Sequence, residues 1–189
     1  LAKVPPALDG VLAGRRARLQ TLGFCRRLRG RDAATWGDRH AREVARRLGW
    51  LDAPARTRGE LPGLERLVAA LAADGARTLY LLGMGGSSLA PQVLREVGGN
   101  PSGRELVVLD TTDPERVGTV LDGCDPRSSA VVAVSKSGGT AETAALLEVL
   151  WSRFERELGA AAGARFVAIT EHGNALERTA VDRHFRACL

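Results

Sequence analysis

Long apolar runs are missing from this chain of 189 residues. No stretch approaches the roughly 18 consecutive apolar residues that cross a bilayer, and the opening LAKVPPALDG has no apolar run of signal-peptide length. A cytoplasmic location and no membrane partner are expected. Cysteine is scarce: Cys25, Cys124 and Cys188 lie far apart, are odd in number and lack metal-ligand spacing. That argues against a disulfide framework or a zinc site, and all three read as structural. Lysine is nearly absent, since only Lys3 and Lys136 occur among 27 basic residues, which argues against a Schiff-base aldolase. Tandem repeats and low-complexity segments are missing. So are the G-x-G-x-x-G dinucleotide fingerprint and the closing G-K-[ST] of a P-loop, and no cofactor is expected.

Charge gives a weaker signal. A net +5 raises the question of nucleic acid, but residues 29–47, RGRDAATWGDRHAREVARR, interleave Arg with Asp and Glu as solvated helix faces do. Nucleic acid is not an expected partner. A mild positive field suits a small anionic substrate, drawn toward a basic mouth.

What is present is enough apolar content, 44% of residues, to bury one good core. Two helical patterns come first, over residues 9–29 (Leu12, Leu19, Leu22) and 32–48 (Trp36, Val44, Leu48). DAPARTRGELPG, residues 52–63, reads as a linker rich in Pro, Gly and charge. The expected organisation is an N-terminal helical segment over 1–60 and a second domain over 61–189. In the second part LERLVAALAADG reads as a helix stopped at Gly75, and the short apolar runs RTLYLLG, ELVVLD, SAVVAVS and RFVAIT follow. Each precedes a turn and a helical pattern, over 89–97, 114–121, 140–158 and 175–181. Strands alternating with helices predict right-handed βαβ units and an α/β fold with a buried parallel sheet between helical layers.

Such sheets bind ligands at the carboxyl ends of their strands. Three loops there are chemically loaded. GMGGSSLAP, residues 83–91, combines glycines that let a ligand approach the backbone with two hydroxyls. TTDPE, residues 111–115, reads as a plain helix cap with Asp113 at the N-cap and Pro114 in the first turn. In VVAVSKSGGTAET, residues 131–143, the strand ends at Ser135 and a helix begins near Thr140. Its amides, its dipole and the hydroxyls of Ser135, Ser137 and Thr140 would make an anion cradle. Either Gly/Ser loop alone could equally be a strand end and a cap; two at one sheet edge favour the cradle. The following helix is expected to bury Leu147, Leu150, Trp151, Phe154 and Leu158.

GMGGSSLAP, LDTTDPE and VSKSGGTAET, in that order, resemble the motifs of glucose-6-phosphate isomerases, of the sugar isomerase (SIS) family, across about residues 77–183. RGRDAATW with RRLGWLDAP is similar to the entry of the isomerase half of bacterial transaldolase fusions. The resemblance implies a Rossmann-like three-layer αβα lobe that grips a phosphosugar in glycolysis and gluconeogenesis. By position it implies phosphate contacts from Gly85, Gly86 and Ser87 in one loop. From the other it implies Ser135, Lys136, Ser137 and Thr140, with Lys136 able to act through its backbone amide. Thr140 is expected both to cap its helix and to donate to phosphate. Two departures concern the hydroxyls: Ala90 stands where glycine is common, and Gly139 where threonine is common.

The resemblance further implies aldose-ketose isomerisation through a cis-enediolate, with a glutamate base and an assisting arginine, histidine and lysine. The Gly-Gly-Arg stretch that would carry the arginine does not occur before Leu189. The expectation is therefore the N-terminal lobe alone, with the catalytic residues unassigned and a homodimer formed by the full-length protein. EHGNALERT, residues 171–179, imitates the base motif, but Asn174 followed by Glu177 reads as a capping box. His40, His172 and His184 match no motif. Two alternatives stay open: a non-catalytic sugar-phosphate sensor, and an isomerase of another phosphosugar.

Overall fold

A computed structural model of the chain describes residues 5–100 and 103–189; Lys3 lies outside them. The chain divides into two compact units after Pro62.

In the first unit the expected helix over 9–29 is two helices, α1 (Pro6–Thr21) and α2 (Phe24–Arg29). Gly23 separates them with φ +60°, a left-handed turn that a continuous helix cannot contain. The expected helix over 32–48 is likewise broken. Asp32 caps a 3₁₀ turn over Ala33–Trp36 by accepting from the Ala34 amide at 3.0 Å. Gly37, at φ +101°, interrupts again before α3 (Ala41–Arg47). Leu48 is the one buried residue among those described in this unit.

The segment read as a linker is helical. It opens α4 (Ala53–Ala73), which contains Pro62. Ala, Arg, Glu and Leu are good helix formers, and Pro54 falls in the first turn, where its missing N–H has no intrahelical partner to lose.

The second unit is a five-stranded parallel sheet. Its strands are β1 (Thr78–Leu82), β2 (Glu105–Leu109), β3 (Ser129–Val134), β4 (Phe166–Ile169) and β5 (Ala187–Cys188), in the order β2-β1-β3-β4-β5. The crossovers are α5 (Gly86–Gly98), α6 (Pro114–Asp122), α7 (Ala141–Leu158) and α8 (Ala175–Asp182). Strand β5, two residues long, carries no apolar run to announce it. Helix α5 starts three residues earlier than its apolar pattern, because the glycines and serines form its first turn.

Side-chain alternation divides the strands between two layers of helices. Tyr80, Leu82, Val131, Ala133, Phe166 and Ala168 join one core with Val120 of α6, Leu147 and Phe154 of α7 and Leu176 of α8. Ala130 and Val167 join a second with Leu71 of α4, against which Leu67, Leu79 and Val132 pack. Helix α7 buries Thr143, Leu146, Leu147, Leu150 and Phe154; the expected Trp151 and Leu158 are half-buried. Trp151 instead tiles the rim, its ring 5.2 Å from Phe166 and 5.9 Å from Phe185, with the Arg183 guanidinium 4.7 Å from its centre. Among the cysteines only Cys124 is buried, and burial pushes its thiol pKa up. Cys25 and Cys188 are exposed, so core packing does not account for them.

Phe154 is fully buried and meets Phe166 edge-on at 5.0 Å. Phe154→Ala should therefore destabilise the protein by about 3–5 kcal/mol, as ring deletions in close-packed cores do. Urea unfolding followed by circular dichroism measures it, and a loss below about 1 kcal/mol would mean that α7 is not anchored through this ring.

Candidate anion-binding site

Strands β1 and β3 are hydrogen-bonded neighbours, with Leu82 opposite Ala133. The chain leaves β1 toward β2 on one side and β3 toward β4 on the other. Divergent crossovers at adjacent parallel strands open a crevice at their carboxyl ends. The 83–85 and 135–140 loops flank it, so the structure brings Gly85, Gly86, Ser87, Ser135, Lys136, Ser137 and Thr140 to one sheet edge.

In the first loop, a Cβ built on Gly83 would lie 2.9 Å from the Ser87 Cβ. Only glycine lets the strand end this close to the helix start. Gly85, at φ +58°, turns the chain into α5, and the buried Ser88 hydroxyl donates back to the Gly85 carbonyl at 3.0 Å. Ser87 is half-buried, beside the exposed Gly85 and Gly86.

The second loop is tighter. The Ser135 amide donates to Ile169 on β4 at 3.1 Å, and the Ser135 carbonyl accepts from Gly138 at 3.1 Å, closing a turn. Ser135 Oγ and Thr140 Oγ1 stand 3.0 Å apart, and the Gly139 amide donates to Ser137 Oγ at 3.3 Å. Lys136 turns its side chain outward, with Nζ 3.5 Å from Glu171. Both groups are mostly solvated, so the pair holds the ammonium loosely. Beneath the loop a cavity of about 70 Å³ is lined by Ser135, Thr140 and Thr143, among others. The Thr143 hydroxyl is buried without a partner, and the space suits a water-sized group.

The four crossover helices start in two different ways. Asp113 caps α6 by accepting from the Arg116 amide at 2.9 Å, and Asn174 caps α8 by accepting from Glu177 at 3.1 Å, both as expected. Neither α5 nor α7 has a side-chain cap. The expected cap by Thr140 is absent: the residue has the extended backbone of a cap, but its hydroxyl bonds sideways to Ser135. Both positive dipole ends thus face the crevice without a side-chain cap; at α5 the Ser87 and Ser88 amides turn back to the Met84 and Gly85 carbonyls at 3.2 and 3.1 Å, whereas no cap side chain meets the first-turn amides of α7. Such an end holds anions, phosphate among them.

The decoy motif sits against this loop. The Glu177 carboxylate accepts from the Gly173 amide, one residue before the capping box would place it, and lies 2.8 Å from His172 Nδ1. The Glu171 amide donates to the Lys136 carbonyl at 3.2 Å. Sequence reasoning passed over Thr170 and Glu171 as neighbours of the site; the available signal was that RFVAIT ends one strand from SAVVAVS. His40 and His184 are exposed. No group of three or more His, Cys, Asp or Glu residues is disposed to hold a metal ion among the described residues.

No family model matches the chain. It is similar to curated glucose-6-phosphate isomerases. One from Thermus thermophilus is 40% identical over 112 residues, which are 59% of this chain and 26% of the relative. That of Citrifermentans bemidjiense is 39% identical over 118 residues, 58% of this chain and 21% of the relative. The chain thus matches about a quarter of their length. Among solved structures, a hypothetical protein of Thermus thermophilus aligns with 100% of this chain and 43% of its own, at 28% identity and a TM-score of 0.73. A glucose-6-phosphate isomerase of Chlamydia trachomatis aligns with 79% of this chain and 26% of its own, at 28% identity and a TM-score of 0.60.

The His172–Glu177 pair supplies a check on the geometry. Hydrogen bonding to Glu177 raises the His172 pKa, and the bond to His172 lowers that of Glu177. His172's contribution to stability is therefore complete below its unfolded pKa and is lost as pH rises through the raised value. That of Glu177 is present above its unfolded pKa and is lost as pH falls through the lowered one. NMR titration should place His172 above the usual imidazole value of about 6.5, and Glu177→Gln should return it there. An unchanged His172 titration in that variant would mean the pair does not form.

Proposed function

We propose that the second unit is the phosphosugar-binding lobe of a glucose-6-phosphate isomerase, acting in the interconversion of glucose 6-phosphate and fructose 6-phosphate. The observation that carries this reading is the pair of uncapped helix starts, α5 and α7, on either side of the β1/β3 crevice. Similarity to enzymes bearing that name supports it.

In this reading the phosphate dianion sits at the positive ends of α5 and α7; Ser135 donates to Thr140, and Ser87, Ser137 and Thr140 donate hydroxyl hydrogens to the phosphate. Neutral donors suit a substrate that must leave again, because hydrogen bonds to a charged group are strong without the full attraction of an ion pair. Lys136 contributes its backbone amide, its side chain being turned outward toward Glu171. Moving a proton between C1 and C2 of the sugar needs a carboxylate held at those atoms. In this reading the base lies outside residues 1–189. A homodimer of the whole enzyme in the cytoplasm is part of the same proposal.

Two measurements test it. Glucose 6-phosphate should shift the amides of residues 83–88 and 135–140 in NMR spectra, whereas this chain alone should isomerise it no faster than background. Silent loops would end the cradle reading, and turnover free of host enzyme would place the base within residues 1–189.

Thr140 discriminates further. With no helix cap to lose, Thr140→Ala forfeits only the bond to Ser135, about 0.5–1.5 kcal/mol of stability. It should weaken phosphosugar binding about tenfold or more, the equivalent of one hydrogen bond to a charged group. Thr140→Ser should bind as the parent does. Calorimetric titration giving equal affinities for all three would reduce Thr140 to a loop residue.

A further inference from the structure

The β4–α8 turn, residues 170–174, is accounted for by helix capping alone only if Asn174 has a single task. It has more. Its Oδ1 faces the Glu177 amide at 3.1 Å, and since that amide can only donate, Nδ2 is directed the other way. Its two hydrogens go to Thr170 Oγ1 at 2.6 Å and the Glu171 carbonyl, and the Lys136 carbonyl, which the Glu171 amide holds at 3.2 Å, lies across the chain at 3.4 Å as a weaker, shared contact. Thr170 Oγ1 in turn donates to the Ser135 carbonyl at 2.6 Å. That carbonyl already accepts from Gly138, so both its lone pairs are used.

Asn174 also meets Gly138, and that contact is steric. A Cβ built on Gly138 would fall well inside van der Waals contact of the Asn174 amide and 2.9 Å from its Cβ, and Gly138 has φ +65°. The glycine lets the turn lie flat on the Asn174 side chain. Ser135 and Lys136, whose carbonyls are held this way, are two of the proposed phosphate contacts.

We infer that Asn174, through Thr170, is a positioning residue for the anion cradle: it fixes the 135–138 turn before ligand arrives, so that the hydroxyls and amides of that loop are preorganised. The inference rests on the phosphate-cradle reading for its ligand and on hydrogen bonds alone for the tie. Preorganised donors bind more tightly because ordering the loop is not charged against binding. Capping α8 is then a second use of the same side chain.

Asn174→Ser separates the two uses, since a serine hydroxyl can still cap α8 but is too short to reach the Lys136 carbonyl. In the full chain without ligand, amide exchange at Gly138 and Glu171 should quicken while the Glu177 amide and the strand amides keep parental rates. Affinity for inorganic phosphate should fall about fivefold, as for loss of one hydrogen bond's worth of preorganisation. Thr170→Val, which leaves the cap untouched, should act likewise, and Thr170→Ser should restore both readings. Parental exchange at Gly138 and Glu171 in both Asn174→Ser and Thr170→Val would reduce Asn174 to a helix cap and overturn the inference. So would parental phosphate affinity in both. If phosphate leaves the parent's 83–88 and 135–140 loops silent, the cradle reading falls and the ligand half of this inference with it, while the exchange rates alone decide the tie.

Discussion

Helices α5 and α7 begin at the ends of adjacent parallel strands, and neither start is closed by a side chain. An α-helix leaves its first amides without intrahelical partners, and most starts resolve this with a Ser, Thr, Asp or Asn cap. Here α6 and α8 follow that practice, with Asp113 and Asn174. The two that do not are those bordering the crevice where the sheet's crossovers diverge. At α5 the Ser87 and Ser88 amides turn back to the Met84 and Gly85 carbonyls, while at α7 the first-turn amides meet no cap side chain.

Keeping such donors open demands rigidity elsewhere. Strand β3 lies in the middle of the sheet with Val131 and Ala133 fully buried, and α7 is pinned by Leu146, Leu147, Leu150 and Phe154. Between them the 135–140 loop has little freedom at either end. Its middle is held from the side: Ser135 bonds β4 through its amide, and the Ser135 and Lys136 carbonyls accept from the β4–α8 turn. The 135–140 loop is thus supported by the turn one strand over. Electrostatics here is soft. Lys136 is drawn toward Glu171 at the surface, so the proposed cradle relies on amides and hydroxyls more than on formal charge.

Much of the second unit was legible in the chain itself. Four apolar runs bounded by turns gave four strands. The alternation with helical patterns gave the parallel sheet, because parallel strands must be joined by crossovers. The Gly, Ser and Thr residues that gather at the crevice could be named before any coordinates, since few residue types tolerate those turns and offer hydroxyls there. Asp113 and Asn174 were recognisable as caps by the same local chemistry. What sequence determined, then, was everything governed by neighbours within a few residues and by the two-residue and 3.6-residue periods.

Tertiary structure decided the rest. Helical spacing over 9–29 and 32–48 did not reveal the breaks, because Gly23 and Gly37 stop a helix through their φ values, which apolar periodicity does not record. The seam at 52–63 became helix because its Ala, Arg, Glu and Leu outweighed two prolines, one of them harmlessly placed. Thr140 has the identity and backbone of a cap, yet its hydroxyl belongs to Ser135, five residues away and on the far side of a turn that had to form first. Strand β5 exists because β4 had an open edge to pair with, not because two residues have a preference. The partnership of Asn174 with Lys136, 38 positions apart, arises only when β3 and β4 lie side by side. No local pattern can encode a contact whose two halves are brought together by the sheet.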